Sequence, residues 1–248
     1  MPDFTPQKAE VELVERLVEY YRTKQQTIQL YLESLQAQVF VAVSTPPLSE
    51  LVHSVKRRLK SPEHLRDKLL RKVEECHKKG VAFDLTEDNL LVRINDLGGY
   101  RILHLHTRQM EHIHTNLLKL LEDANWDHHA PPFAHIWDEE SAKYFESLGI
   151  KTEVNPRLYT SVHYVVRPKG KEQPTVEIQV RTLADEIWGE VDHKINYPYP
   201  HENLACREQI RVLARVASSC SRLVDSIMAT NEDWAAAGPP DIEPIAKK

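Results

Sequence analysis

The chain has 248 residues and a formal net charge of −5 at pH 7, with 37 acidic and 32 basic side chains. Its length suits one large domain or two small ones, and 41% hydrophobic residues are enough for a packed core. No apolar run approaches the roughly 18 residues that span a bilayer, and the N-terminus is acidic where a secretory leader would be basic. We therefore expect a cytoplasmic protein without a membrane partner, whose three cysteines are reduced thiols.

The first half of the chain predicts two long helices and a β region. Residues 8–38 carry apolar side chains at helical spacing. Ser61, Pro62 and Glu63 form a helix-start signature, and this second helix should end before Gly80. Between residues 90 and 107 the pattern favours two short strands, or one interrupted strand, around a tight turn at Gly98 and Gly99.

The second half predicts helices, one hairpin and a tail. Residues 108–124 are periodic in the helical sense, whereas residues 125–160 are irregular, with a short helix over residues 139–148. The runs 161–167 and 175–181 are typical of two strands of a hairpin. Helices should follow over residues 184–196 and 202–229, and the segment from residue 231 should be a flexible tail.

Positive charge is concentrated in one segment, because residues 53–79 contain ten basic and four acidic side chains. Lys60, His64, Lys68 and Arg71 follow one another at intervals of four, four and three, which would place them on one helical face beside a helix N-terminus. A ligand with the charge of a nucleoside triphosphate would fit this stripe. A merely solvated basic face is the alternative.

Two carboxylates could complement the stripe. Asp96 precedes the Gly98-Gly99 pair, and Glu177 lies on the polar face of an alternating strand together with Gln179. Two separated carboxylates are typical of a Mg²⁺ site shared with phosphate oxygens. Each could equally be an ordinary surface residue. The thirteen histidines do not show the spacing of a zinc site, and P-loop and Rossmann glycine motifs are absent from the sequence.

Five segments between roughly residues 50 and 200 form a recognisable series: Arg58–Glu63 with Lys68, Asp96–Arg101, Tyr159–His163, Glu177–Thr182, and His193, Lys194 and Tyr197. In this order they resemble the motifs of the RelA/SpoT synthetase family, which transfers pyrophosphate from ATP to the 3′-hydroxyl of GDP or GTP to make the alarmones ppGpp and pppGpp. The short flanking segments resemble the small, single-domain members of the family.

The resemblance implies a role for each matching residue. Arg58 would pack on adenine with Arg108 on the other ring face, and Lys60 and Lys68 would hold phosphates. The ATP site predicted from stripe and resemblance together comprises Arg58, Lys60, His64, Lys68, Arg71 and Arg108. Asp96 would bind Mg²⁺, and Glu177 would be a second ligand or the general base. On the acceptor side, Tyr159 would stack on the base, His163 would lie near its phosphates or sugar, and Gln179 and Arg181 would order the site.

The sequence also departs from the family pattern. His64 replaces a usual serine, Leu158 replaces a glycine, and Thr160 replaces an arginine or glutamine, while residues 155–157 only loosely match a lysine-containing acceptor loop. No His-Asp dipeptide of the hydrolase domain is present. The resemblance therefore implies synthesis without hydrolysis.

The expected function is an Mg²⁺-dependent GTP pyrophosphokinase. One alternative is a toxin-like member, part of a toxin–antitoxin pair, that pyrophosphorylates the 3′ end of tRNA or an adenine nucleotide. A tRNA acceptor would need a second basic surface, for which the candidates are Lys24, Arg207, Arg211, Arg215 and Arg222. The other alternative is a nucleotide-binding regulator without catalysis. A homo-oligomer and an antitoxin partner are left open.

The resemblance implies an α/β (α+β) fold, a nucleotidyltransferase-like mixed sheet of about five strands flanked by helices. Residues 1–50 would form an N-terminal helical extension and residues 51–200 the synthetase core. Residues 201–230 would form a C-terminal helix, followed by the flexible tail at 231–248.

Overall fold

The computed structural model describes residues 4–170 and 174–237. Within these ranges the helices are α1 (Lys8–Val43), α2 (Leu48–Leu51), α3 (Pro62–Lys79), α4 (Glu87–Arg93), α5 (Gln109–Asp123), α6 (Glu139–Ser147), α7 (Leu183–Asn196) and α8 (Leu204–Ala237). The strands are β1 (Val52–Leu59), β2 (Gly98–His104), β3 (Trp126–His128), β4 (Phe133–Ile136), β5 (Lys151–Val154), β6 (Ser161–Pro168) and β7 (Val176–Thr182). None of the helices described is both long and apolar enough to cross a membrane.

One mixed sheet organises the fold, with the strand order β1-β2-β7-β6-β4-β5 and β3 paired to β6. The β2/β7 and β4/β5 pairs are parallel, and the other pairs are antiparallel. The prediction of a mixed α+β fold with helices at both ends is confirmed, although these seven strands exceed the predicted five.

The two faces of the sheet differ in chemistry. On one face, Tyr100, Ile102, Ile178 and Val180 lie in the main hydrophobic core, together with apolar side chains of α1, α3, α4 and α5. A second, smaller cluster joins α7 to α8 around Trp188. Alternation along each strand turns the polar residues of β2 and β7 to the face opposite the main core.

The predicted helices are confirmed where periodicity and caps agree. In α3 the Ser61 hydroxyl accepts a hydrogen bond from the backbone N–H of His64, and Gly80 ends the helix with a φ of 65°. The hairpin of β6 and β7 also forms as predicted. Local chemistry was sufficient at these places because the capping residues and the apolar period point to the same boundaries.

The prediction for residues 90–107 is wrong in its first half. Residues 90–93 belong to α4, which has a capping box between Thr86 and Asn89, so the apolar run there is a buried helical turn. Gly98 and Gly99 do not form a turn; they begin β2, and the turn lies three residues earlier, at Asn95 and Asp96.

Several strands were missed because their sequences do not alternate clearly. The irregular region 125–160 contains the short strands β3, β4 and β5 in addition to α6. The basic run at residues 52–59 is strand β1 at the edge of the sheet, paired with β2. Because charged side chains occupy much of β1, hydrophobic periodicity could not identify it.

The C-terminal helix is longer than expected. Helix α8 continues to Ala237, so residues 231–237 of the predicted tail are helical, whereas 238–248 lie outside the described residues, as do residues 171–173 of the hairpin connection.

Candidate active site

The register of four strands brings the predicted polar residues to one face of the sheet. Arg58 is paired with Gly99, Gly99 with Glu177, and Gln179 with His163. Since paired residues of neighbouring strands point to the same face, these side chains share the face opposite the main core. The sheet itself therefore assembles the site from distant parts of the sequence.

Glycine at position 99 allows this close assembly. A Cβ atom placed there would lie 2.1 Å from the backbone oxygen of Glu177, which no real side chain tolerates. On the core side, a Cβ at Gly98 would approach Ile28 of α1 to 2.8 Å. The two glycines thus let β2 pass tightly between α1 and the strand that carries Glu177.

Asp96 is clamped by two lysines. Its Oδ2 lies 3.0 Å from Lys60 Nζ, and its Oδ1 accepts a hydrogen bond of 2.7 Å from Lys68 Nζ. Lys60 comes just after β1, and its backbone N–H donates to the Leu97 carbonyl at 2.8 Å, while its carbonyl accepts from the Tyr21 hydroxyl. The lysines therefore reach Asp96 from a fixed strand end and from α3.

Lys60 and Lys68 keep the carboxyl group of Asp96 ionised. Burial alone would raise the pKa of Asp96, but the attraction of Lys68 and Lys60 and their hydrogen bonds hold its pKa well below the usual range. Burial lowers the pKa of Lys60, and Asp96 partly offsets this effect. Asp96 is consequently ionised at neutral pH.

The prediction of one solvated basic stripe is wrong for Lys60. This residue precedes α3 and is only 4% exposed, so it does not share a solvated helical face with His64, Lys68 and Arg71.

Glu177 is held by a second pair of partners. Its Oε1 lies 2.9 Å from His163 Nδ1, and its Oε2 accepts a hydrogen bond of 2.7 Å from Gln179 Nε2. Burial would raise the pKa of Glu177, but the charge and hydrogen bond of His163 and the hydrogen bond of Gln179 outweigh it and lower this pKa. His163 therefore stabilises the ionised form of Glu177.

The ring of His163 is itself fixed. It stacks on Phe133 with ring centroids 5.1 Å apart and is 5% exposed. Because an ionised carboxylate only accepts hydrogen bonds, His163 Nδ1 must carry a proton, which it donates to Glu177. Within the described part of the chain the Nε2 of this ring is buried and has no hydrogen-bond partner.

Two adjoining cavities form one cleft along this face. The smaller one is lined by both carboxylates, Asp96 and Glu177. The larger one, of about 270 Å³, reaches to Tyr159, Trp188 and Tyr197. Residues shared by both linings are Arg58, Arg101 and Gln179.

His64 and Arg71 do not line the cleft themselves but contact Tyr197, which does. The Tyr197 hydroxyl donates to the His64 carbonyl at 3.0 Å, and the two rings meet edge to face with centroids 5.1 Å apart. The guanidinium of Arg71 lies 5.0 Å from the centre of the Tyr197 ring, whose other neighbour is the stacked ring of His193. His64 and Arg71, two residues of the predicted ATP site, therefore pack against the side chain of Tyr197.

Tyr159 and Arg181 lie together at the other end. The guanidinium of Arg181 is 5.7 Å from the centre of the Tyr159 ring, and Tyr159 also packs on Trp188 with centroids 5.9 Å apart. Tyr159 is thus both a packing residue of the α7/α8 cluster and part of the cleft lining.

The structure does not bring Arg108 to Arg58. Arg108 is the N-cap of α5, where its backbone N–H donates to Asp225 of α8 at 2.9 Å and its carbonyl accepts from Tyr144 of α6. Its side chain lines a separate cavity of about 200 Å³. The predicted pairing of Arg108 with Arg58 is therefore wrong, because the end of β2 carries Arg108 towards α8 instead of the cleft.

The residues 57–202 match the family described as "Region found in RelA / SpoT proteins". The chain belongs to the RelA/SpoT family. The predicted resemblance is confirmed, and the matched segment contains every residue that lines the cleft.

A relative with a curated name is the GTP pyrophosphokinase YjbM of Bacillus subtilis, which is 37% identical over 70 residues. The match covers 26% of this chain and about a third (32%) of the length of that protein.

Solved structures show the same fold at low identity. Small alarmone synthetase 1 from Bacillus subtilis superimposes with a TM-score of 0.53 at 17% identity, covering 89% of this chain and 98% of that one. The same protein bound to its product pppGpp gives a TM-score of 0.52, with 88% and 97% covered. A GTP pyrophosphokinase family protein from Streptococcus pneumoniae gives 0.54 at 18% identity, with 91% and 98% covered.

One departure from the RelA/SpoT pattern has a clear conformation here. Leu158, which replaces the family's glycine, has a φ of 62°, in the left-handed region that favours glycine. Its side chain packs against the α7/α8 cluster. Leu158 therefore combines left-handed backbone with an apolar contact to the α7/α8 cluster.

Two functional candidates were missed from the sequence. Arg101 lines both cavities beside Arg58, and Glu186 of α7 contacts Arg101 and Arg181. A signal was available for Arg101, because it closes the matched segment Asp96–Arg101 and shares the strand face of Gly99. Glu186 had no comparable signal, since only the docking of α7 brings it to the sheet.

The cations considered for a tRNA acceptor are dispersed over other elements. Lys24 lies on α1, whereas Arg207, Arg211, Arg215 and Arg222 lie on α8. Arg222 donates to Glu140 at 2.8 Å and lies 3.6 Å from Asp138, so its charge is already compensated.

Proposed function

We propose that this chain is an ATP-dependent pyrophosphokinase that transfers the β,γ-pyrophosphate of ATP to the 3′-hydroxyl of GDP or GTP. The observation that carries the proposal is the single cleft in which Asp96, clamped by two lysines, and Glu177, held by His163, line the same cavity beside Arg58 and Arg101. Membership of the RelA/SpoT family and the names of the relatives support the same activity.

The donor half suits a nucleoside triphosphate. Arg58 and Arg101 present flat guanidinium groups on neighbouring strands, where an adenine ring can stack, and Lys68 places positive charge beside Asp96. Lys60 is buried against Asp96, so it acts on the phosphates chiefly by orienting that carboxylate and adding to the local positive potential.

The residues present fit a Mg²⁺ ion. Asp96 and Glu177 line one cavity, and the lowered pKa of each carboxyl keeps it ionised at neutral pH. No group of three or more potential metal-ligating side chains occurs in residues 4–170 and 174–237, which agrees with an ion that takes few protein ligands beside water and phosphate oxygens. When bound, Mg²⁺ would neutralise charge on the transferred group.

The acceptor half would hold the guanine nucleotide against Tyr159, with Arg181 behind the ring. The 3′-oxygen attacks the β-phosphorus, the bond from that phosphorus to the oxygen bridging the α-phosphorus breaks, and AMP leaves. Glu177 is ionised and fixed by two hydrogen bonds, so it can take the hydroxyl proton. Most of the acceleration would come from positioning and positive charge, as expected of phosphoryl-type transfer.

The activity can be tested with ATP labelled on the γ-phosphate and a panel of acceptors, GDP, GTP, GMP, ADP and deacylated tRNA. We expect label in a pyrophosphorylated guanosine nucleotide and release of AMP. Transfer only to tRNA or ADP would overturn the proposed acceptor. Binding of ATP without transfer to any acceptor would indicate a regulator instead of an enzyme.

Glu177→Gln gives the matching test of mechanism. The substitution removes the charge and keeps the size of the side chain, so turnover should fall about a hundredfold or more while a non-hydrolysable ATP analogue still binds. Glu122→Gln, an exposed position on α5, is the control and should be as active as the wild type. Substantial turnover by Glu177→Gln would contradict the assigned role.

A further inference from the structure

One buried carboxylate gathers three cations from three strands. Glu186 Oε1 lies 2.9 Å from Lys56 Nζ of β1 and 3.2 Å from Arg101 Nη1 of β2. Its Oε2 pairs with Arg181 Nη2 of β7. Glu186 is 5% exposed and the two arginines are mostly buried, so these three charges interact with little screening by solvent, whereas Lys56 is 54% exposed.

The start of α7 places this carboxylate over the sheet. Thr182 is the last residue of β7, and its hydroxyl caps α7 by accepting from the backbone N–H of Asp185, so the first helical turn lies above β7 and β2. Gly189 permits the close approach, because a Cβ there would lie 2.8 Å from Arg181 Nη1. Glu186 therefore faces the polar side of the sheet and not the solvent.

Two of the three cations, Arg101 and Arg181, line the cleft. Arg101 lines the cavity that contains Asp96 and also the larger one. Arg181 lies against the ring of Tyr159 in the acceptor half. Without a carboxylate between them, two guanidinium groups and the ammonium of Lys56 would repel one another and change rotamer.

We infer that Glu186 is a positioning residue that fixes Arg101 in the donor half and Arg181 behind Tyr159 in the acceptor half. The inference rests on the proposed function. It assigns to one carboxylate, which touches neither nucleotide, the alignment of the two halves of the site. Since misplacement of a binding group by about 1 Å can cost up to a hundredfold in rate, such a role is measurable.

Glu190 provides a matched control on the same helix. Its Oε1 also pairs with Arg101, at 2.5 Å from Nη1. Unlike Glu186, however, Glu190 is exposed to solvent, with 57% of its side chain accessible. A positioning role for Glu186 predicts a large effect at position 186 and a small one at position 190, because Glu186 still holds Arg101 when Glu190 is neutral.

The main test is Glu186→Asp, which keeps the charge and withdraws it by one methylene. We expect an unchanged melting temperature, and KM values for both ATP and the guanine acceptor raised about tenfold. Glu190→Gln should stay within about twofold of the wild type for both. Glu186→Gln should show a larger rise in both KM values if it folds, and Glu186→Asp decides the question if it does not.

The outcomes separate this inference from the proposed function. Wild-type KM values in Glu186→Asp, or a loss of kcat that only follows a smaller folded fraction, would overturn the positioning role. If the wild type itself transfers nothing to GDP or GTP, the proposed function fails. The inference is then tested by calorimetry with a non-hydrolysable ATP analogue and with GDP. It is upheld only if Glu186→Asp weakens the binding of both nucleotides.

Discussion

At the scale of single residues, the site depends on how each carboxylate is kept charged inside a partly buried cleft. Burial alone would protonate both groups more easily, but Lys60 and Lys68 keep the pKa of Asp96 low, and His163 and Gln179 do the same for Glu177. Asp96 is balanced by full charges, whereas Glu177 relies largely on one imidazole. The pH response of the enzyme should therefore be governed by Glu177.

His163→Phe tests this dependence. Phenylalanine keeps the ring that stacks on Phe133 but neither donates to Glu177 nor carries charge. Of the remaining effects, burial, which is the largest, and the nearby Asp96 raise the pKa of Glu177, and the smaller effect of the Gln179 hydrogen bond lowers it. Since the role proposed for Glu177 requires its ionised form, the acid limb of the kcat/KM profile should move to higher pH.

The wild type sets the reference for that measurement. Its Glu177 pKa is lowered, so its acid limb should lie below the ordinary glutamate value of about 4.3. His135→Phe changes a neighbouring ring that makes no hydrogen bond to Glu177 in the described structure, so it should move the limb far less than His163→Phe does. An unmoved limb in His163→Phe would show that His163 does not control Glu177.

At the scale of elements, α3 connects local capping to the site. Ser61 caps its N-terminus directly after Lys60, and Lys68 extends from its second turn to Asp96. Gly80 caps its other end with left-handed backbone, 12 residues beyond Lys68. The two caps thus stabilise the same helix, but only one of them lies beside the donor half.

Ser61→Ala and Gly80→Ala should therefore differ in function and not in stability. Each should lower the free energy of unfolding by about 1 kcal/mol, since one loses a capping hydrogen bond and the other forces a Cβ into left-handed backbone. Only Ser61→Ala should raise the KM for ATP, by loosening the first turn that follows Lys60. Urea unfolding and initial rates measure both effects, and an equal change in KM from Gly80→Ala would contradict this separation.

The elements also show what the sequence could reveal. The bounds of α3, which has caps and a clear apolar period, were predictable from the sequence, and the strands of the β6/β7 hairpin were predictable to within one residue at each end. The charges of β1 hid its strand pattern, and β3, β4 and β5 are short strands whose pairing depends on partners elsewhere in the chain. For such strands the tertiary context decides, and local pattern does not.

The same limit applies to the site. Asp96, Glu177, Lys60 and Lys68 could be predicted because motifs and charge mark them, and the structure brings them together. Which arginine shares the cleft with Arg58 could not be settled without the register of β1 on β2, so Arg108 was selected in place of Arg101. Family resemblance identified the segments, and strand register determined which side chains meet.

At the scale of the whole molecule, the chain is acidic and yet has a cleft suited to an anion. Its formal charge is −5, but Arg58 and Arg101 line the cleft. Lys60 and Lys68 lie beside it, in contact with Asp96. Attraction of a nucleotide must then come from the local field of these cations and not from the net charge. Such a field is screened over about 10 Å at 0.1 M salt.

ATP binding should therefore weaken steadily with ionic strength despite the overall negative charge. Titration of a non-hydrolysable ATP analogue from about 0.05 to 0.3 M NaCl should show a rising Kd, and Arg58→Gln should make that rise shallower by removing one cation of the cleft. Arg211→Gln removes an equally charged side chain from the exposed face of α8, where it lies 3.8 Å from Glu208, and should leave the slope unchanged. Equal slopes for Arg58→Gln and the wild type would mean that the cations of the cleft do not attract the nucleotide, and binding would then have to depend on stacking and shape alone.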